Sequence, residues 1–274
     1  MGTYIFGTYN LEVLAGEIFQ SFLIAGKYAI EHQQGVVNIG KEGELIDGDT
    51  EETILRRNAK TKIDEEVQEI LLQKLIQIIE PRDFILDAEE ETMTCSSFSN
   101  QNAQASIIID PIDGTLEYIQ GSAGYSICLA LLVGGSFPLI YVYYPTKGIL
   151  YAKVGDEVFI QDMKTNIKTK LQPPNTIKKV VYANNRVIPE VLTPYVEEGY
   201  SIVQSQEIYG WDDALVGLIQ GEFAHCLFHT PQMRDILIGF IGVSLLGGNC
   251  IDFSGNSLIL PEKGRVPEAH FYFG

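Results

Sequence analysis

Cysteine is scarce in this chain. Cys95, Cys128, Cys226 and Cys250 are the four among 274 residues, with no C-x-x-C pair and no zinc-like spacing. That density excludes a disulfide scaffold and makes a reducing cytoplasm the expected compartment. Positive charge is scarce as well. Lys and Arg number 19 against 36 Asp and Glu, a net charge of -17. Such acidity argues against nucleic acid and against an anionic membrane as partners. The N-terminal stretch MGTYIFGTYNLEV has no basic segment leading into an apolar one, so no secretory leader is expected. Long unbroken apolar runs are missing too. Ser126 to Tyr144 is interrupted by Gly134-Gly135-Ser136 and Pro138, and Ile236 to Ile251 carries four glycines. Both read as buried core rather than membrane spans. Internal repeats and low-complexity segments are also lacking.

What is present suits a substantial core: 46% of the residues are hydrophobic. From Asn10 to about Gln33, Leu11, Leu14, Ile18, Phe22, Ala25 and Ala29 recur at helical spacing. A polar, Gly-rich stretch from Gly35 to Asn58, with the acidic run Asp47 to Glu52, reads as a surface loop. A second helix is expected from Asp64, as N-cap, to Ile79. Strand-like runs dominate from Phe84 to Gln161, and a polar connector follows from Asp162 to Lys179. Strands then alternate with helical segments at Asp212 to Ile219 and Asp235 to Leu246. Periodicity alone supports α/β or α+β, in two halves, 1–160 and 161–274. His225 and His229 have the spacing of a helical zinc pair, but FAHCLFHT reads as a strand, so no zinc is expected.

The chemistry concentrates at Asp110-Pro111-Ile112-Asp113-Gly114-Thr115, directly after the apolar run Ser106 to Ile109. A strand delivers two carboxylates, three residues apart, to a turn shaped by Pro and Gly. Hard cations such as Mg²⁺ take this kind of oxygen ligand, usually beside substrate phosphates. Asp, Pro and Gly also make ordinary turns. The full string is rarer: a chain of this length shows it by chance with probability on the order of 10⁻⁴.

This segment resembles the signature of the inositol monophosphatase superfamily, the lithium-sensitive, metal-dependent phosphatases that include fructose-1,6-bisphosphatases and bisphosphate nucleotidases. Three further positions fit in order. Thr61-Lys62-Ile63-Asp64 is similar to the family's Thr-x-x-Asp, and Ala88-Glu89-Glu90 to its small-residue-Glu-Glu motif. Asp235, an apolar helix, Gly247-Gly248, Asp252 and Gly255 resemble the second signature, with Arg234 where that signature has Trp.

The resemblance implies an α+β fold, a layered αβαβα sandwich, with most metal ligands in the first half and Asp235 in the second. It implies two or three Mg²⁺ ions. Glu89, Asp110 and the Ile112 carbonyl would hold one, and Asp110, Asp113 and Asp235 another. Asp64, Glu89 and Thr115 would be catalytic, with Asp64 and Thr115 orienting the attacking water. The Gly114 and Thr115 amides would cradle phosphate. Such a cluster is unfavourable without cations, because like charges in a cleft repel. Around the substrate, Trp211 and Asp212 lie where the family lines its pocket. Phe228 stands where inositol-specific members place a Glu that binds sugar hydroxyls. The expected activity is hydrolysis of a small soluble monoester, a sugar or polyol phosphate. Fructose 1,6-bisphosphate or a 3′-phosphoadenosine nucleotide is the alternative, and a catalytically silent metal- or phosphate-binding scaffold is the non-enzymatic one. A homodimer stays open, since the segment after Gly255 leaves little room for the family's last helix.

Overall fold

Asn10 starts the first helix. Its side-chain oxygen accepts from the amides of Glu12 and Val13 at 3.0 and 3.1 Å, satisfying donors that no helical carbonyl can reach. The computed structural model describes residues 5–6, 9–40, 51, 54–55, 58–100, 102–184, 186–204, 211–229, 231–246, 248–258, 260–261 and 263–273. Of the acidic run Asp47 to Glu52, only Glu51 is among them.

Among the described residues, the helices include α1 (Leu11–His32), α2 (Lys62–Leu75), α3 (Thr115–Ile119), α4 (Pro189–Glu197), α5 (Trp211–Gln220) and α6 (Leu237–Leu246). Two short strands, β1 (Ile5–Phe6) and β2 (Tyr9–Asn10), precede them. The main sheet comprises β3 (Ile85–Ala88), β4 (Ala105–Asp113), β5 (Ser126–Val133), β6 (Ser136–Tyr144), β7 (Ile149–Val154), β8 (Glu157–Asp162) and β9 (Lys168–Lys170), in that spatial order. Apart from the parallel β3–β4 pair, its neighbours are antiparallel. The expected hairpin is β5–β6, turned by Gly134 and Gly135. Both have positive φ, 56° and 75°, as a two-residue turn matching strand twist requires. The sheet runs on to Lys170, beyond residue 160, taking up part of the expected connector.

A second sheet has the order β11-β10-β12-β14-β13, from β10 (Val180–Ala183), β11 (Ser201–Gln204), β12 (His225–His229), β13 (Gly248–Ile251) and β14 (Glu268–Phe273). β14 lies antiparallel between β12 and β13, so the segment after Gly255 supplies an interior strand. His225 and His229 are on a strand, as expected. His225 instead meets His270 of β14, ring nitrogens 3.0 Å apart.

Side-chain alternation along the strands builds the layers. Ile107 and Ile109 of β4 point into a core shared with Phe22, Ala25, Val67 and Leu71 of α1 and α2. Ile108 points the other way, into a core shared with α5, α6 and the inner face of the second sheet. Val181, Ala183 and Leu227 on that sheet's outer face pack on Leu192 of α4. The order is helices, sheet, helices, sheet, helix: the αβαβα sandwich. α1 approaches β6 so closely that a Cβ on Gly26 would run into the Tyr143 ring.

Candidate active site

The start of α2 departs from expectation in a way that matters for the site. Thr61, not Asp64, is the N-cap, and the helix ends at Leu75 rather than Ile79. The Thr61 hydroxyl oxygen accepts from the Ile63 amide at 3.1 Å. Asp64, in the third helical position, reaches back to accept from the Thr61 amide at 2.9 Å and its hydroxyl at 2.6 Å. This reciprocal box fixes one carboxylate oxygen and presents the other to β4. There Asp64 Oδ1 lies 3.0 Å from the Thr115 hydroxyl, which is also 3.0 Å from the Ile112 carbonyl oxygen. A hydroxyl has one proton, so Thr115 donates to one of these at a time. Burial pushes the Asp64 carboxyl up to about 6, and the charge of Glu89 adds to this against the hydrogen bonds from Thr61 and Thr115.

β4 carries the signature to the edge of the core. The pairing with β5 is regular to Asp110, shifts, and resumes at Asp113. That irregularity turns the chain so that Asp110 and Asp113 converge. Gly114 follows with φ of 85°, and a Cβ there would sit 2.9 Å from the Gly124 carbonyl oxygen. Only glycine meets both conditions.

The second half closes the cluster. A 3₁₀ turn, Arg234–Ile236, precedes α6, and the helix expected from Asp235 begins at Leu237. Asp110, Asp113 and Asp235 each offer an oxygen within 4.8 Å of the others. At an effective dielectric of 20, each such like-charged pair costs about 3–4 kcal/mol. Burial first, then the Glu89 and Asp235 charges and a hydrogen bond with Glu89, hold the Asp110 carboxyl well above the usual range, despite Arg234. Burial raises Asp235 to about 6, opposed by Arg234 and Arg265.

Sequence reasoning missed the cation in this cluster. The Arg234 guanidinium lies 3.7 Å from Asp87, 3.8 Å from Glu89, 3.8 Å from Asp110 and 4.0 Å from Asp235. Burial works against its charge, but Glu89, Asp235, Asp110 and Asp87 outweigh that and keep it protonated. The sequence carries the signal, as a basic residue beside the first carboxylate of the second signature. Asp87 was missed too. It faces the core two residues before Glu89 and accepts from the Gly264 amide at 2.7 Å. The 264–266 segment grips the Arg234 turn from both sides, through Met233 N–H to Gly264 O at 3.0 Å and Val266 N–H to Pro231 O at 3.1 Å. Glu90, by contrast, turns away to an ion pair with Lys60 at 2.6 Å.

The structure therefore gathers Asp64, Glu89, Asp110, Ile112, Asp113, Thr115 and Asp235 with Gly114. It does not bring in Phe228. That ring is fully buried between Tyr182 and Phe271, at 5.7 and 6.1 Å, and contributes packing rather than a pocket wall. Its strand alternation points it into the middle layer. The side chains of Trp211 and Asp212 lie outside the described residues; the backbone there opens α5.

The donor set suits a hard divalent cation. All its members are oxygens, and Asp110 Oδ1 is buried with no hydrogen-bond partner.

A family model described as the inositol monophosphatase family matches residues 25–270. The chain belongs to that family. Among curated relatives, a histidinol-phosphatase of Chlorobaculum parvum is 27% identical over 164 residues, 58% of this chain. The match spans 61% of that relative, short of two thirds of its length. A fructose-1,6-bisphosphatase/inositol-1-monophosphatase of Thermotoga maritima is 26% identical over 71% of this chain and 72% of its own. Among solved structures, an inositol monophosphatase/NADP phosphatase complexed with Mg²⁺ and phosphate superposes with a TM-score of 0.72. It is 19% identical, with 96% of this chain and 91% of that one covered. At that identity the likeness establishes the fold, and it is the five-layered family fold described above.

Proposed function

We propose that the chain is a Mg²⁺-dependent phosphomonoesterase acting on a small soluble phosphate, a sugar or polyol monoester. One observation carries this reading: the Asp64–Thr115 pair lies against the Ile112 carbonyl, in the turn that brings Asp110 and Asp113 together with Asp235. Glu89, Asp110, Asp113, Asp235 and the Ile112 carbonyl are the groups to hold divalent ions. Such ions would supply charge neutralisation, a lowered pKa for a bound water, and stabilisation of the attacking and leaving oxygens.

The chain's own residues do the rest. Asp64, fixed through Thr61, accepts the Thr115 proton, which turns the hydroxyl's lone pairs toward the water. In this relay the water gives a proton to the Thr115 oxygen as Thr115 gives its own to Asp64, which is general-base catalysis with Asp64 the final acceptor. Gly114 lets the Gly114 and Thr115 amides approach the phosphate. The net charge of -17 repels anionic substrates, so affinity for phosphate depends on local positive charge. That acidity also supports a partner set without nucleic acid or membrane, and four free thiols suit a reducing cytoplasm.

The test is turnover of a generic phosphomonoester with EDTA, with Mg²⁺, and with Mg²⁺ plus Li⁺. Hydrolysis is expected only with Mg²⁺, and inhibited by Li⁺. Activity surviving EDTA would remove the mechanism. A panel of inositol, fructose, histidinol and adenosine phosphates then ranks substrates. One observation favours the scaffold alternative: Arg234 already neutralises part of the cluster. Absence of turnover at every Mg²⁺ concentration would favour it.

A further inference from the structure

The guanidinium of Arg234 sits inside the ligand set rather than beside it. Its Nε lies 3.8 Å from Glu89 Oε2 and 3.8 Å from Asp110 Oδ2, the two side chains proposed to share one ion. Its Nη1 lies 3.7 Å from Asp87 Oδ1. The side chain is 15% exposed, and Nε is buried without a hydrogen-bond acceptor. A direct charge-assisted bond would be nearer 2.8 Å. Net charge, not directional bonding, therefore keeps this cation where it is. The backbone from which it extends is held by the hydrogen bonds of Met233 and Pro231 to Gly264 and Val266.

We infer that Arg234 is a resident cation standing in for one divalent ion, so that the chain binds one ion fewer than its carboxylates would otherwise hold. The inference rests on the metal-dependent reading above. An ion bridging Glu89 and Asp110 would have to share the same two oxygens with a fixed positive charge. Like charges at that separation in a buried site repel strongly. The other Asp110 oxygen, Oδ1, is buried and has no hydrogen-bond partner. Asp110 also offers one oxygen within 4.8 Å of oxygens of Asp113 and Asp235, and that trio is what remains for a metal ion. Asp235 Oδ1, 4.0 Å from the Arg234 Nε, is the edge at which the protein's own cation meets the trio open to metal.

Counting Mn²⁺ bound at saturation, by electron paramagnetic resonance and calorimetry at pH 7.5, tests this. Wild type, Arg234→Met, Arg234→Gln, Arg234→Lys and Asp113→Asn are compared. Arg234→Met is expected to bind one more Mn²⁺ per chain than wild type, or to bind at least tenfold tighter. Arg234→Lys keeps the charge and is expected to match wild type. Arg234→Gln covers the case in which Arg234→Met does not fold. It removes the charge and is expected to gain the same Mn²⁺ as Arg234→Met.

Equal counts and affinities in wild type and in the folded uncharged variants Arg234→Met or Arg234→Gln would overturn the inference. The metal reading is judged separately, by whether Asp113→Asn loses Mn²⁺ that wild type holds. Mn²⁺ bound by Arg234→Met alone would support the inference. Binding by neither protein would overturn both.

Discussion

The Thr115 hydroxyl lies 3.0 Å from Asp64 Oδ1, joining segments 51 residues apart in the chain. This contact ties a helix start to the strand turn that carries the signature. It makes the hydroxyl the last protein atom before the proposed water.

Thr115→Val removes that atom at nearly constant volume. The expected result is a fall in kcat of about 10²-fold or more, with KM little changed and Thr115→Ser largely active. Steady-state kinetics on the best panel substrate checks it. A Val variant within threefold of wild type would dismiss the relay.

Asp113→Asn removes one charge from the three-carboxylate corner while keeping the side chain's shape. Turnover is expected to vanish, while the far-ultraviolet circular dichroism stays that of wild type. Without metal, the variant is expected to melt no lower than wild type, since a repulsion of about 3–4 kcal/mol per neighbour has been relieved. Near-normal turnover would refute the site assignment.

The metal-free protein is expected to lose stability as pH rises. Asp64 and Asp235 are both raised to about 6 in the folded state, above the ordinary value of 3.8. The folded chain therefore holds their protons more tightly than the unfolded chain does. Their stabilising contribution is complete below about pH 4 and disappears as pH passes 6. In EDTA, Tm is expected to fall by roughly 5 °C or more between pH 5 and 7.5, and Mg²⁺ to restore it at pH 7.5. A Tm that climbs over that range in EDTA would contradict this account.

Gly114→Ala places a methyl group at φ of 85°, 2.9 Å from a backbone carbonyl. A loss of about 1–3 kcal/mol is expected by chemical denaturation. Activity should fall further than stability explains, because the same turn sets Asp113 and Thr115. A fully active and stable variant would show that the turn tolerates a side chain.

Much of this was legible before the coordinates. Asp110, Asp113, Glu89, Asp64 and Thr115 lie in short local motifs whose order along the chain survives folding. The β5–β6 hairpin is legible because Gly134-Gly135 has a direct conformational meaning. The rest depended on contacts distant in sequence. Thr61 and Asp64 are both good caps, and only Thr115, just past β4 and 51 residues away, decides that Asp64 faces the site. Phe228 was assigned by counting positions, yet Tyr182 and Phe271, from two other strands, enclose it. Arg234 was legible as a substitution but not as a cation within reach of Asp87 and Glu89. That proximity is a property of how the two halves meet.

The strand Glu268–Phe273 is inserted between β12 and β13, and the residues just before it clasp the turn bearing Arg234 and Asp235. During synthesis, the main sheet can assemble by zipping neighbouring hairpins as they emerge. The acidic cluster cannot. Until the strand Glu268–Phe273 has taken its slot, the bonds from Gly264 and Val266 that hold the turn of Asp235 are not in place, so a chain clipped before that strand is expected to display an unclosed acidic cleft.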